Sequence, residues 1–365
     1  MKFFCKILLV LFIGVGCHFH LLAQKPDLVS IAKNLYDQRR YAEAREIFQS
    51  AVDANKKDTN AWFGLGLTDL TLRYDDAIKD FKKLIKLSPN NAEAYMYRGL
   101  ANATTQKEYL GAIEDYNKAI KLQPSYAEAY NYRGNAKFVL EDTAGALDDY
   151  SKAIKADSTY GDAYLNLGTI LIERKDYENA IDNLTIAIAL NPKETDAFFS
   201  RALAQEGKYD YRGAIGDYNT VLKLDSNYKM ALFNRGVDKI KLHYYQSAIS
   251  DFDNYLKVDS ENPMAYCRRG NAKDSLGYHP EARDDYSTAI SKDAEFAEAY
   301  YARGKNYLAT GTKDYACSDF NQAYSLGYDK ALQELHKNNC RVTAEPPETE
   351  KSKSKSGFFS NWHME

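Results

Sequence analysis

AEAYNYRGNAKFVLEDTAGALDDYSKAIKADS, at positions 127–158, is the stretch that decides the fold, because variants of it follow one another along most of the chain. The alanine that opens its second half recurs nine times. These alanines are Ala44, Ala77, Ala112, Ala146, Ala180, Ala214, Ala248, Ala282 and Ala316. The intervals between them are 33, then 35, then 34 six times in succession. A period of this length is typical of stacked helical hairpins.

Two further positions follow the same period. Four residues after each alanine comes a large side chain: Phe48, Phe81, Tyr116, Tyr150, Leu184, Tyr218, Phe252, Tyr286 or Phe320. About twelve residues before it comes a small one: Ala32, Gly66, Gly99, Gly134, Gly168, Ala202, Gly236, Gly270 or Gly304. The spacing of four keeps the alanine and the large side chain on one helical face, and the small residue lets two backbones approach closely. One hairpin cannot bury that face alone, so neighbouring hairpins must stack.

This pattern resembles the tetratricopeptide-repeat family. Residues 62–66 (WFGLG) match the family opening W-x-x-L-G, and Pro89, Pro124 and Pro192 stand where the family places its closing proline. The resemblance implies an all-α fold, a right-handed α-solenoid of about nine helix–turn–helix units over residues 24–327. Other units end instead in Asp-Ser pairs, which predict an N-cap for the following helix at Asp157, Asp225 and Asp259.

Residues 1–23 are predicted to be a secretory signal peptide. Lys2 and Lys6 provide the positive start, residues 7–16 the apolar core, and Ala23 a small residue for cleavage. About ten apolar residues are too few to cross a bilayer, which needs about twenty. Lipid attachment at Cys17 is the alternative. Both readings predict an exported protein that is periplasmic, associated with the cell envelope, or secreted. No transmembrane helix is expected elsewhere.

The C-terminal residues are predicted to form a helix that covers the last repeat, followed by a tail that does not pack on it. Residues 328–340 form an amphipathic capping helix, and residues 341–365 a disordered tail rich in Glu, Pro, Lys and Ser. The aromatic segment at residues 357–362 (GFFSNW) is either an unstructured end or a short docking motif. A disulfide is predicted between Cys317 and Cys340, because Cys317 occupies a position that should face the next element of the stack. The alternative is two reduced, buried thiols.

Composition limits the classes of function. The net charge is −3, or −5 once Lys2 and Lys6 are removed, so there is no electrostatic reason to bind nucleic acid. Histidines are scattered and outside metal-ligand spacings, and catalytic motifs are missing from the sequence. The sequence therefore predicts a protein that is not an enzyme, with no catalytic residue, metal site or cofactor, and with proteins or peptides as partners.

Charge also follows the repeat. Six units carry an arginine before the small residue and an aspartate before the large side chain, and two units lack both. The expected intra-repeat ion pairs are Arg98 with Asp115, Arg133 with Asp149, Arg201 with Asp217, Arg235 with Asp251, Arg269 with Asp285, and Arg303 with Asp319. Only the second unit breaks the association, with Leu65 and Asp80. The alternative is that the arginines form a ladder for an anionic ligand.

The resemblance implies that the first helix of each unit lines a concave groove where partners bind. The predicted groove residues are Phe63, Met96, Asn131, Asn135, Leu165, Phe199, Phe233, Asn234, Arg268 and Tyr301. Phe199, Phe233 and Tyr301 are expected to anchor an extended segment, and the asparagines with Arg268 to orient its backbone or a terminal carboxylate. Two alternatives stay open. Neighbouring first helices could bury these positions, and the protein could act as a scaffold that organises an envelope complex through its outer surface and ends.

Overall fold

The computed structural model describes residues 27–345. The predicted signal peptide, the alternative lipid site at Cys17 and the aromatic segment at residues 357–362 lie outside the described residues. The described chain divides into two compact units, one ending at Ala101 and one beginning at Asn102. We call them the N-terminal unit and the C-terminal unit.

Both units are helical, and residues 27–345 contain nineteen α-helices and no β-strand. The N-terminal unit has α1 (Leu28–Asp37), α2 (Tyr41–Ala54), α3 (Thr59–Thr71), α4 (Asp76–Leu87) and α5 (Ala92–Ala101). The C-terminal unit begins with a π-helical stretch, Asn102–Gln106. It continues with α6 (Tyr109–Leu122), α7 (Ala127–Val139), α8 (Thr143–Ala156), α9 (Gly161–Glu173), α10 (Tyr177–Leu190), α11 (Thr195–Gly207), α12 (Tyr211–Leu224), α13 (Lys229–Lys241), α14 (Tyr245–Val258), α15 (Pro263–Ser275), α16 (His279–Lys292), α17 (Ala297–Ala309), α18 (Lys313–Ser325) and α19 (Lys330–Lys337).

Consecutive helices form helix–turn–helix pairs that pack on one another within each unit. We call the odd-numbered helices up to α17 the A-helices and the even-numbered helices up to α18 the B-helices. The alanines that open the B-helices are fully buried. A Cβ atom placed on Gly134 of α7 would lie 2.6 Å from the ring of Tyr150 on α8. The small residue and the large side chain therefore meet at the helix crossing, as the sequence pattern predicts.

Each intra-repeat turn contains a residue in the left-handed region of backbone space. In seven repeats this residue is not glycine, although an L side chain is strained there. These residues are Arg39, Arg73, Lys107, Glu141, Lys175, Tyr209 and His243. Glycine takes the place in the last two repeats, as Gly277 and Gly311 with φ of 83° and 79°.

The predicted N-caps at Asp157, Asp225 and Asp259 are wrong. Each of these aspartates is the C-cap of the preceding B-helix. The carboxylate of Asp157 accepts a hydrogen bond of 2.8 Å from the backbone N–H of Thr159. The carboxylate of Asp225 likewise accepts one of 2.9 Å from the backbone N–H of Asn227. Because α9 begins only at Gly161, these aspartates lie too far ahead of the next helix to cap it, and they stabilise the turn instead.

The C-terminal end is closed by α19 and by a disulfide. Ala331 and Leu335 of α19 are fully buried against Phe320 of α18. Cys317 and Cys340 form a disulfide with a Cα–Cα distance of 5.5 Å.

Residues 341–345 depart from the predicted disordered tail. The side-chain amide of Asn321 on α18 donates to the carbonyl of Arg341 at 2.9 Å. Its oxygen accepts from the N–H groups of Thr343 and Ala344 at 2.7 and 3.2 Å. The chain therefore stays attached to the last repeat up to this point.

Candidate functional site

Five of the expected Arg–Asp pairs form inside their repeats, in each case between an A-helix and the following B-helix. The arginine donates twice to the aspartate, with Nε–Oδ2 distances of 2.8–3.0 Å and Nη2–Oδ1 distances of 2.5–2.9 Å. The aspartate side chains are only 0–9% exposed. These pairs begin with Arg133, Arg201, Arg235, Arg269 and Arg303. The pair of Arg98 with Asp115 would join residues of different units and stays a prediction.

Each of these arginines makes a third contact that sequence analysis missed. Its Nη1 atom donates to the polar residue that follows the large side chain of the preceding B-helix, at 2.5–3.1 Å. The acceptors are Asn117, Thr185, Asn219, Asp253 and Ser287. The guanidinium groups are thus occupied by acceptors of the protein itself. This arrangement argues against the alternative of an anionic-ligand ladder.

The second repeat, which has Leu65 in the arginine position, is built differently. Arg45 of α2 donates to Asp69 of α3 at 2.5 and 3.1 Å. Asp80 of α4 is 7% exposed, and its Oδ2 atom has no hydrogen-bond donor among the described residues. Burial, together with the neighbouring charge of Asp69 and a hydrogen bond to it, raises the pKa of Asp80 to about 8. Asp80 therefore holds a proton at neutral pH and can donate it to Asp69.

A second carboxyl pair lies in the C-terminal unit, between Glu206 of α11 and Asp238 of α13. Asp238 is 2% exposed, and its Oδ2 atom also lacks a donor within residues 27–345. Burial and the charge of Glu206 raise the pKa of Asp238 to about 8. Glu206 accepts a hydrogen bond of 2.5 Å from the hydroxyl of Tyr218, and burial raises its pKa as well.

Four of the predicted groove residues are buried and cannot form an open surface, so their assignment to it is corrected. The exposed fractions are 3% for Met96, 2% for Asn131, 1% for Phe199 and 8% for Phe233. Phe199 packs on Tyr218 and Tyr228, with ring centroids 5.5 and 5.2 Å apart. Phe233 packs on Phe252 and Tyr255 in the same way, so the residues that follow along the chain cover both phenylalanines.

The predicted groove asparagines bind Asn166 and tyrosine hydroxyls inside the protein. Asn166 of α9 donates to Asn131 at 2.9 Å and to Asn135 at 3.1 Å, both on α7. The hydroxyl of Tyr150 donates to Asn135 at 2.8 Å. Asn234 of α13 lies 3.3 Å from the hydroxyl of Tyr218. These amides link neighbouring repeats, and Leu165 contributes to the adjoining core beside Leu184.

The N-terminal unit has an open cavity of about 410 Å³. We call it the N-terminal cavity; it is lined by Val29, Lys33, Tyr36, Asp37, Phe48, Asn60, Phe63, Gly64 and Leu67. Its floor is aromatic and aliphatic, whereas Lys33, Asp37 and Asn60 are exposed at its edge. Phe63 is held edge-on by Phe81 and Tyr97, with ring centroids 6.3 and 5.6 Å away. Of the predicted groove residues, Phe63 is the one that this cavity contains.

The C-terminal unit has a smaller pocket of about 190 Å³ near its end. We call it the C-terminal pocket; it is lined by Asn271, Asp274, Tyr286, Glu298, Tyr301, Ala302, Lys305 and Tyr328. The predicted residue Tyr301 is half-buried here and packs on Tyr328, with ring centroids 4.8 Å apart. Arg268 donates to Glu298 at 2.5 and 3.2 Å, so its charge is already paired inside the protein.

In the described part of the chain, no helix has the length and hydrophobicity of a membrane-spanning helix. No group of three or more His, Cys, Asp or Glu side chains within residues 27–345 is arranged to hold a metal ion. Cys267 is buried, and burial raises the pKa of its thiol to about 12.

The fold and its period define a helical-repeat protein in which each unit is one helix–turn–helix pair. The profile of the tetratricopeptide-repeat family matches residues 29–68, 72–127, 105–161, 131–195 and 165–229, which together cover more than half of the chain. The chain belongs to this family. Tetratricopeptide repeats generally act as non-catalytic protein-interaction modules.

Several solved structures are similar. PilF of Pseudomonas aeruginosa is 19% identical over 60% of this chain and 97% of its own, with a TM-score of 0.51, which supports the fold. A tetratricopeptide-repeat protein of Parabacteroides merdae is 20% identical, covering 68% and 98% of the two chains with a TM-score of 0.48. YrrB, described as a protein with an unusual peptide-binding site, is 26% identical over 51% and 95%, with a TM-score of 0.45. No curated protein matches the chain.

Proposed function

We propose that this protein is a non-catalytic adaptor that binds an extended segment of a partner protein, with the N-terminal cavity as the main point of attachment. The observation that carries the proposal is the cavity itself. It combines a concave apolar floor with a few exposed polar groups, which is the composition of binding pockets in general. Its volume of about 410 Å³ suits an apolar or aromatic side chain of a partner.

Lys33, Asp37 and Asn60 give the edge of the cavity the means to fix a peptide. An ammonium group, a carboxylate and an amide can bind both the carbonyl and the N–H groups of an extended backbone. The anchor side chain would then supply most of the binding energy, because a desolvated apolar pocket contributes more than exposed charges at its rim.

The C-terminal pocket offers a second, more polar point of contact. Tyr301 and Tyr328 form an aromatic wall, and Asn271 and Lys305 are polar groups of the same pocket. Because Phe199 and Phe233 are buried, we propose this pocket as the place where a partner segment contacts the A-helices of the C-terminal unit.

Filling the N-terminal cavity tests the proposal. Leu67 is half-buried in its wall, so Leu67→Trp should occupy the space and weaken capture of the partner by about 30-fold, or about 2 kcal/mol. Leu110→Trp is the matched control, because Leu110 is 69% exposed and lies outside the cavity. The measurement is affinity capture from the envelope fraction, followed by titration of the captured partner. Equal affinities for the two variants would contradict the use of the cavity.

A scaffold function is the second candidate, and one observation favours it. Four successive repeats of the C-terminal unit expose a tyrosine at or beside the turn between their helices. These are Tyr209, Tyr244, Tyr278 and Tyr315, with exposed fractions of 79%, 48%, 48% and 64%. Exposed tyrosines are frequent in protein interfaces, so this edge could hold another subunit.

We also propose that the protein is exported and works in the cell envelope. The proposal rests on the signal-like sequence of residues 1–23. Fractionation of cells and mass spectrometry of the mature N-terminus test it. A chain beginning at Gln24 supports cleavage after Ala23, and a lipid-modified chain beginning at Cys17 supports the alternative. An uncleaved protein in the cytoplasm would contradict export.

A further inference from the structure

The carboxyl pair of Asp69 and Asp80 joins α3 to α4, and α3 is one of the helices that line the N-terminal cavity. Asp69 is two residues after Leu67 on α3, and Leu67 lines the cavity. Arg45, which binds Asp69, is three residues before Phe48 on α2, and the ring of Phe48 forms part of the floor. The chain of contacts from Arg45 through Asp69 to Asp80 therefore connects α2, α3 and α4, and two of these helices form the cavity.

This arrangement replaces the ion pair found in five repeats of the C-terminal unit. In those repeats the B-helix aspartate is held by an arginine of its own A-helix. In the second repeat Leu65 occupies the arginine position, and Arg45 donates both of its bonds to Asp69. Asp80 is left with a buried oxygen that has no donor in the described structure, and a proton bound to Asp80 can be donated to Asp69.

We infer that a proton on Asp80, donated to Asp69, holds α3 and α4 together and makes the N-terminal cavity sensitive to pH; the functional meaning of this switch rests on the binding role proposed above. When the proton leaves, two buried carboxylates face each other and only one arginine remains for both. Repulsion and desolvation then favour opening of the helix pair.

The charged groups around Asp80 determine the direction of the effect. Asp69 from α3 and Asp76 from α4 itself disfavour its ionised form, and Arg45 from α2 favours it, but burial outweighs the arginine. Lys79 is held by Asp76 at 2.7 Å and is 77% exposed. In the unfolded chain an aspartate has a pKa of about 3.9. The folded form therefore keeps a proton that the unfolded form has lost, and stability falls as pH rises from about 4 to about 8.

Hydrogen exchange of the full-length protein tests the inference. Between pH 5.5 and 7.5 the opening constant of the α3 and α4 amides, corrected for intrinsic exchange, should rise by about tenfold per pH unit. Asp80→Asn keeps the shape of the side chain and removes its titration, so opening in this variant should not change with pH. The same pH dependence in the wild-type protein and in Asp80→Asn would overturn the inference.

Two further variants strengthen the test. Leu65→Arg restores the arginine of the other repeats and should also abolish the pH dependence, because Asp80 then stays ionised beside a cation. Asp217→Asn is the matched control in the C-terminal unit, where Arg201 holds the aspartate at 2.7 and 2.8 Å. It should raise opening of α12 by the same factor at every pH. A pH-dependent factor there would show that the effect is not specific to the carboxyl pair.

Binding is measured separately, with indole as the probe and the methyl signals of Leu67 and Val29 observed by NMR. We expect indole to shift these signals at pH 5.5 and to bind more weakly at pH 8, with no such difference in Asp80→Asn. If hydrogen exchange behaves as expected but indole does not bind at pH 5.5, the carboxyl pair still controls the helix packing. In that case the proposed binding role of the cavity fails.

Discussion

At the scale of single residues, the arginine before each small residue explains how neighbouring repeats are fastened. The Nε and Nη2 atoms of the guanidinium group donate to the aspartate of the same repeat's B-helix, and Nη1 donates to a polar side chain of the preceding B-helix. Four of the five arginines in the described pairs also lie over an aromatic ring, at 5.4–5.8 Å from the ring centre. One side chain thus joins three helices, which a lysine with a single point charge could not do as well.

The contribution of this arginine to the free energy of unfolding should depend on whether a lysine also binds the same aspartate. Lys239 lies 2.7 Å from Asp251, whereas Gln205 occupies the equivalent position beside Asp217. Arg201→Met should therefore strand a buried carboxylate and cost on the order of 3–5 kcal/mol. Arg235→Met should cost about 1–3 kcal/mol, because Lys239 remains. Chemical denaturation measures both.

The exposed Arg212 supplies the control for this comparison, and Arg212→Met should change stability by less than about 0.5 kcal/mol. A larger loss for Arg235→Met than for Arg201→Met would contradict the account of the shared aspartate.

Contacts between single residues can be predicted from the sequence only where the same pattern recurs in several repeats. The Arg–Asp pairs are predictable because the arginine and the aspartate occur together, or are missing together, in most repeats. The carboxyl pairs are not readable in this way, because Asp69 with Asp80 and Glu206 with Asp238 each occur once. Leu65 was the available signal, since it leaves Asp80 without its expected arginine. Finding Asp69 as the partner needed the geometry of α3 and α4.

At the scale of helices and turns, the sequence predicts the helix pairs well and their exposure less well. The positions of Gly134 and Tyr150 follow from the close helix crossing. The anchors Phe199 and Phe233 were expected at an open surface, but they lie where successive A- and B-helices meet. Periodicity identifies the face of a helix, and it cannot tell a seam between neighbours from a surface that faces solvent. The π-helical stretch lies in the longer of the two irregular intervals, which contains one residue more than the regular period.

The turn residues allow a direct test at this scale. Lys175 has φ of 61°, and the last two repeats use glycine in this position. Lys175→Gly should stabilise the protein by about 0.5–1 kcal/mol, because relief of backbone strain exceeds the added entropy of the unfolded chain. Arg174, one residue earlier with φ of −79°, is the control, and Arg174→Gly should destabilise by a similar amount. Thermal melting of both variants measures these changes in stability. A loss of stability in Lys175→Gly would contradict the claim that the backbone of Lys175 is strained.

At the scale of the whole molecule, stability should be local, because each repeat contacts only its neighbours. The disulfide ties α18 to the residues that follow α19, and it lies at the end of the stack. Cys340→Ser should therefore lower the stability of the cap by about 3 kcal/mol, the value expected for a loop of this length. Hydrogen exchange should show the loss in α18 and α19 and leave α7 unchanged.

Thiol titration checks the same bond. Of the three cysteines that follow the predicted signal peptide, only Cys267 should react after denaturation, and none should react quickly in the native protein. Three reactive thiols would contradict the disulfide.

The two carboxyl pairs should also act independently, since each lies in a different unit. Both aspartates have a pKa raised to about 8, so each pair loses stability as pH rises from about 4 to about 8. Asp238→Asn should weaken the pH dependence of opening in α11 and α13 only, because burial raises the pKa of Glu206 there as well. Asp80→Asn should remove the pH dependence of opening in α3 and α4 only. Site-resolved hydrogen exchange between pH 5.5 and 8 distinguishes them. Loss of the pH dependence of opening in both regions after a single substitution would contradict the expectation that stability is local.

Attachment of a partner at the N-terminal cavity can be tested in the cells that produce the protein. The most direct measurement places a photo-crosslinking amino acid at Lys33, on the edge of that cavity, or at Tyr209, on the exposed turn of the C-terminal unit. The account predicts a crosslinked partner from position 33 that disappears when Leu67→Trp fills the cavity, and no such product from position 209. A partner captured from position 209, with none from position 33, would contradict the claim and favour the scaffold.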